Sequence, residues 1–256
     1  MIPSIIKVIV NTGREASIQE AKPITQNMPR FDTLSTGAES LDQLLQGGFP
    51  SKQLTLVYGK ANAGKTIVAM STAIQAAKKG GRAFYIDADR SFSTQRLPVE
   101  HDLLERILLF QPEDFREQAR IVENMENLLG DQHSLIVIDS VTTLYRVDSV
   151  GPREALIHNR ELNRQLAYLA DLAVRYDVTV LLTGQVHSHP EGGFWTTEPV
   201  ADRTLQHWAK LILRLRQTKE RDVREAKLEK IHGRDMEDGP RAFFGIDETG
   251  IRDAQA

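Results

Sequence analysis

Cysteine is absent from all 256 residues, which removes disulfide staples, cysteine-bound zinc and thiol nucleophiles together and fits a reducing compartment. Long apolar runs are missing too. A bilayer span needs roughly 18 consecutive apolar residues, and the early run Ile5-Ile6-Lys7-Val8-Ile9-Val10 is short and broken by a charge, so it reads neither as a span nor as a signal peptide. No membrane partner is expected, and a cytoplasmic location is the expectation. No internal repeat is visible. Nor does one sign of charge dominate: 32 Lys and Arg face 35 Asp and Glu, for a net charge of −3, which by itself points to no partner. The balance conceals one tract. Between Arg203 and Arg234 ten basic residues stand against four acidic ones, an excess able to meet phosphate.

With 41% apolar and 26% charged residues, the chain has the make-up of a soluble globular protein with one substantial core. Residues 1–30 read as a strand or tether and a linker ending near Pro29, and residues 31–256 as one large domain. From Phe31 onward, apolar runs of strand length alternate with longer segments of helical period, which predicts an α/β protein with a largely parallel sheet flanked by helices. Strands are expected at Gln53 to Tyr58, Arg82 to Ile86, Ile107 to Phe110, Ser134 to Ile138 and Val178 to Thr183. Helices are expected at Thr66 to Lys79, ended by Gly80-Gly81, and around Val122, Met125 and Leu129. The clearest helix carries Leu162, Leu166, Leu169, Ala173 and Tyr176 on one face. Leu211 to Arg216, Ala226 to Ile231 and Ala242 to Ile246 alternate polar and apolar residues, as antiparallel edge strands do.

Between the first strand and the following helix stands Gly59-Lys60-Ala61-Asn62-Ala63-Gly64-Lys65-Thr66, with Ile67 next. The spacing G-x-x-x-x-G-K-T is that of a P-loop, which predicts ATP and Mg²⁺ as cofactors. Its glycines let the backbone curl so that successive N–H groups face phosphate at a helix N-terminus. Lys65 is placed to reach the β and γ phosphates, and Thr66 to offer a hydroxyl to Mg²⁺, which prefers an octahedral oxygen shell. Asp139, ending the apolar strand Leu135-Ile136-Val137-Ile138, supplies the carboxylate such a metal site needs. His187 and His189 do not read as a metal site, since two ligands at i and i+2 with no third nearby fall short of the usual set.

Further segments carry a family pattern: Ser35-Thr36-Gly37 with Leu41-Asp42-Gln43-Leu44-Leu45 and Gly47-Gly48, then Tyr85-Ile86-Asp87, Ser93 to Leu97 and Phe110 to Arg120. They continue through Tyr145-Arg146, Gly184-Gln185-Val186-His187, Glu198-Pro199-Val200-Ala201 with Thr204-Leu205, and Gly250-Ile251 with Asp253. In order and spacing the chain resembles the RecA-type recombinases from about residue 31 to 253, and among them the short archaeal paralogues of the main recombinase. The resemblance implies a RecA-type P-loop NTPase core acting in homologous recombination and DNA repair. It implies that Gln185 couples the γ-phosphate to DNA-binding loops, and that Arg96 stacks on adenine, although a solvated arginine reads equally well there. It places two DNA-facing loops at Arg146 to Asn159 and His187 to Arg203, with Arg146, Arg153, His187, Phe194, Trp195 and Arg203 as candidate contacts to single-stranded DNA. Loop aromatics can stack on bases, or fold back onto their own domain.

The chain departs from that family in three ways. Where relatives carry a glutamate that activates water, two residues past the strand ending at Asp87, this sequence has Asp89. A carboxylate withdrawn by one methylene predicts slow hydrolysis, with ATP acting mainly as a conformational switch. Some 30 residues before the core are too few for the family's N-terminal duplex-binding domain, and no Phe has Ala three residues later, the usual subunit tether. Ile5 to Val10 either adds a strand to a neighbour, giving a homo-oligomer, or packs on its own domain. The expected function is that of an accessory or regulator of the main archaeal recombinase. The alternatives are an active strand-exchange ATPase and a KaiC-like signalling ATPase with no DNA role.

Overall fold

Three runs are too continuously apolar for burial on one face alone, and they form the middle of the sheet. They are β3 (Leu54–Gly59), β6 (His133–Asp139) and β7 (Thr179–Gly184), as expected for parallel strands covered on both sides. The computed structural model describes residues 32–93, 100–130, 133–148, 151–191, 194–199 and 202–254, with backbone alone for 133, 152, 187–191, 194–199 and 202. The expected N-terminal tether lies outside the described residues.

In chain order, a short antiparallel pair β1 (Thr33–Leu34) and β2 (Phe49–Pro50) brackets α1 (Glu39–Leu44). After β3 come α2 (Lys65–Lys78), β4 (Arg82–Asp87), α3 (His101–Leu104), β5 (Ile107–Phe110) and α4 (Phe115–Asn124). Then follow β6, α5 (Thr143–Asp148), α6 (Pro152–Arg175), β7, the pair β8 (Val186–Glu191) and β9 (Phe194–Pro199), and α7 (Asp202–Trp208). The chain continues with β10 (Ala209–Gln217), β11 (Val223–Ile231), β12 (Arg234–Asp235), β13 (Arg241–Asp247) and β14 (Gly250–Asp253). The main sheet runs β5-β4-β6-β7-β3-β10-β11-β13-β14, with β12 on β11. Its pairs are parallel from β5 through β10 and antiparallel from β10 to β14. The predicted class and antiparallel edge are therefore present.

Two apolar clusters sandwich the sheet. One joins α1 and α2 to Val57, Tyr85, Val137, Leu213 and Phe244. The other joins α4, α6 and α7 to Leu56, Phe84, Ile138, Leu182 and Ile212. The helical stripe read from sequence is real: Leu162, Leu166, Leu169 and Ala173 are wholly buried. The Ser35-Thr36-Gly37 segment is structural. Asp42 accepts bonds from Ser35 Oγ, Thr36 N and Thr36 Oγ1, while Ser71 Oγ on α2 donates to the Thr36 carbonyl, fastening α1 to α2. Asp114 caps α4 by accepting from Glu117 N.

The two stretches expected as DNA-facing loops are mostly regular structure. Arg146 lies on α5, and Arg153 to Asn159 lie on α6, which Pro152 opens at its first turn after an extended Gly151. The second stretch contains the β8–β9 antiparallel pair and the start of α7. Its largely polar sequence lacks the apolar alternation by which a strand is recognised.

From the short 3-10 turn Met125–Asn127 after α4, Glu126 accepts bonds from Arg175 and Tyr168 of α6 and from the hydroxyl of Tyr176 just past it. Arg175 first, then Tyr168, hold its carboxyl well below the ordinary glutamate range, at about 2. A depressed folded-state value means the contribution is complete above the ordinary carboxylate range and is lost as pH falls from there toward 2. Glu126→Gln is therefore expected to lower the thermal midpoint at neutral pH, and the gap from wild type should narrow in melts taken between pH 5 and 3. A gap that persists undiminished at pH 3 contradicts this. Added salt should narrow it as well, because the group is at the surface.

Candidate nucleotide site

The phosphate loop leaves β3 at Gly59 and enters α2 at Lys65. Asn62 and Gly64 take positive φ values of 60° and 101°. Glycine is needed at both ends of the loop. A Cβ at Gly64 would lie 2.7 Å from Ile246 Cδ1, and one at Gly59 would lie 2.3 Å from the Leu215 carbonyl oxygen. Loop residues Lys60, Ala61 and Asn62 are exposed, whereas Ala63 is buried against the core. Ile67 packs, partly buried, on the same core. Lys65 Nζ donates to the carbonyls of Gly59 and Lys60, each at 2.9 Å, so the ammonium lies across its own loop. The N–H groups of the first turn of α2 have no partners within the helix, which makes this an anion-binding end.

Asp139 ends β6, separated from β3 only by β7. It is 1% exposed. Its Oδ1 accepts from Thr183 Oγ1 on β7 and its Oδ2 from Tyr85 Oη on β4 at 2.8 Å. Burial pushes the carboxyl up, against the downward pull of the Thr183, Tyr85 and Thr66 hydroxyls. Burial likewise pulls the Lys65 ammonium down, opposed by Asp139 and Asp89. The Tyr85 hydroxyl, buried beside these carboxylates, is raised well above the tyrosine range, so it is a permanent donor here.

Asp87 and Asp89 divide the carboxylate work. Asp87 is consumed structurally, accepting from Ser91 N, Phe92 N and Gln111 Nε2. Asp89 has its backbone N–H on the Asp139 carbonyl at 3.2 Å, but its Oδ1 is buried with no hydrogen-bond partner. A buried acceptor left unspent calls for an occupant. The donor set fits magnesium: a hydroxyl and a carboxylate, both hard oxygen ligands, in place of a dedicated protein cage. Among the described residues, no group of three or more His, Asp or Glu could hold a metal ion.

Gln185 follows β7 directly. Its Oε1 accepts from Arg146 Nη1 at 2.9 Å and its Nε2 donates to Thr143 Oγ1 at 3.0 Å, while its backbone N–H donates to Thr142 Oγ1. Thr143 in turn shares a hydrogen bond with Ser140, next to Asp139. One amide thus joins the end of the central sheet to α5.

The structure brings Lys65, Thr66, Asp89, Asp139 and Gln185 to the same end of the parallel strands. Of the expected DNA contacts, Arg146, Arg153 and Arg203 are exposed, on α5, α6 and α7. His187, Phe194 and Trp195 lie on β8 and β9, and their side chains lie outside the described residues, as does Arg96 altogether. The basic tract is partly paired. Arg214 pairs with Glu229, Lys227 with Asp238 and Lys230 with Asp235, so folding spends part of its apparent excess internally. Tyr85, Thr143 and Thr183 are the participants that sequence reading missed. Each meets its partner only through strand order or a tight turn, and a tyrosine or threonine at a buried strand end carries no signal of its own.

A family model described as Rad51 matches residues 30–254. The DNA repair and recombination protein RadB of Thermococcus kodakarensis is 37% identical over 230 residues, covering 87% of this chain and 100% of that protein. RadB of Halobacterium salinarum is 35% identical, over 87% of this chain and 96% of its own length. A crystal structure of the RadB recombinase superposes with a TM-score of 0.74 at 36% identity, covering 87% of this chain and 100% of that one. Chain order, phosphate loop and these likenesses agree that the protein belongs to the Rad51 family and has the RecA-type fold, with RadB proteins among its similar relatives.

Proposed function

We propose that this is an ATP- and DNA-binding protein of homologous recombination and repair, slow in hydrolysis, that assists or regulates a main recombinase. In this reading residues 31–256 form the ATPase core, acting in the cytoplasm on single-stranded DNA, with self-association through the N-terminal segment open to it. The observation that carries it is the Gln185 amide, bonded at once to Arg146 and Thr143 of α5 while standing between the phosphate-loop strand and the Asp139 strand. A phosphate group that accepts from Gln185 Nε2 must compete with Thr143, and any turn of that amide moves the partner of Arg146. Nucleotide state is thereby read out at an exposed cation.

The chain's own groups divide the remaining work. Lys65 and the loop N–H groups hold the phosphates. Thr66 and Asp139 would hold Mg²⁺, which when bound offsets phosphate charge. Asp89 orients water and accepts its proton from a position set back by one methylene. Names of the RadB relatives support a repair role, and Rad51 membership favours it over the signalling alternative.

The test is binding of a labelled single-stranded oligonucleotide across a salt series with ATP and Mg²⁺, with ADP, and with neither. If Arg146, Arg153 and Arg203 each meet one phosphate, the logarithmic salt slope with ATP should be about −2, at ~0.7 per phosphate for single strands. Binding without salt dependence, or equal in all three nucleotide states, defeats the reading.

A further inference from the structure

We infer that Gln217 and Arg224 clamp the phosphate loop from outside and hold it in its nucleotide-ready shape, which makes Arg224 a positioning residue for nucleotide binding; the inference rests on reading Gly59–Thr66 as the nucleotide site. The Asn62 carbonyl accepts from Gln217 Nε2 and from Arg224 Nε, both at 3.2 Å. A carbonyl oxygen has two lone pairs, so both bonds can form together. The donors come from residues 155 and 162 positions away in the chain, yet they are direct cross-strand partners on β10 and β11, so the register of one hairpin delivers both.

The loop needs such a hold. Asn62 and Gly64 are both in the left-handed region, which a free loop leaves readily unless its surroundings fix it. The anchor is itself fixed. Arg224 Nη1 donates to the carbonyls of Arg221 and Val223 at 2.7 and 2.9 Å. Thr218 ties the turn by accepting from Glu220 N and donating to the Val223 carbonyl, and Ile246 N on β13 donates to the Asp222 carbonyl at 2.8 Å. Arg224 Cγ also lies 3.7 Å from the Cβ position of Gly64, beside Ile246 and Phe244. The antiparallel strands thus form the outer wall of the loop. Because the loop N–H groups serve phosphate only while the curl persists, ordering them in advance raises affinity.

Two measurements on the full chain test this: amide exchange over residues 59–66 in nucleotide-free protein, and affinity for a fluorescent ATP analogue with Mg²⁺. Arg224→Met should speed exchange in the loop alone, leave the thermal midpoint unchanged, and weaken the analogue about tenfold, equivalent to about 1.4 kcal/mol. Gln217→Ala, at an exposed position that cannot endanger folding, should shift both readouts the same way by a few-fold, and Arg224→Lys should restore part of the loss. Unchanged loop exchange in Arg224→Met and Gln217→Ala overturns the clamp. So does a loss of affinity that only follows global destabilisation. Wild-type protein that fails to bind the analogue defeats the nucleotide reading instead, and the exchange data still decide the clamp.

Discussion

Asp89→Glu should raise ATP turnover about tenfold to a hundredfold, with little change in ATP affinity. The added methylene extends the carboxylate by about 1.5 Å, one carbon–carbon bond, and misplacement of about 1 Å can cost on the order of a hundredfold in rate. What makes the gain plausible in this protein is that Asp89 Oδ1 is buried and unbonded, so a longer side chain need break no existing contact to advance. Asp87, two residues earlier, offers the contrast. It is tied by two backbone N–H groups and the Gln111 amide, so Asp87→Glu should disturb folding without raising turnover. Steady-state phosphate release with and without single-stranded DNA is the measurement. A rate unchanged or lowered by Asp89→Glu removes Asp89 from the reaction.

Lys65→Met should weaken ATP binding by a hundredfold to several thousandfold. The ammonium is partly buried, and Asp139 and Asp89 raise its pKa against the pull of burial. Removing it leaves the charge of those carboxylates and of an incoming triphosphate without the lysine's offset. Truncating one partner of a hydrogen-bonded charge pair at a binding site, here Lys65 and a phosphate, costs about 3 to 5 kcal/mol, and each 1.4 kcal/mol is about tenfold in affinity. Titration calorimetry with ATP and Mg²⁺ reads the loss directly. Affinity within a few-fold of wild type means that the loop backbone alone carries the phosphates.

The candidate nucleotide site was legible because most of it is local. Gly59 to Thr66 occupy one continuous loop with the spacing of a P-loop, and Asp139 ends an apolar run that can only be a buried strand. Asp89 was legible as a candidate for the same reason, lying two residues past a strand end. Contacts across the sheet were not. Tyr85 reaches Asp139 across 54 positions and Thr183 across 44, distances that strand order closes and periodicity does not report. Arg224 is one member of a basic tract whose excess charge is all that the sequence reports, and its bonds to backbone carbonyls come from the fold. The stretch containing Phe194 and Trp195 was read as loop because its polar residues hide a strand pair.

β3 has four strands on either side of it along the main sheet path. Fraying begins at sheet margins, where hydrogen bonds are most exposed. A disturbance entering from β5 or from β14 must therefore undo several rungs before it reaches the strand that launches the phosphate loop. The edge strands β5 and β14 can be remodelled by partners, by sequence drift or by partial opening, while β3 stays seated at the ladder's midpoint.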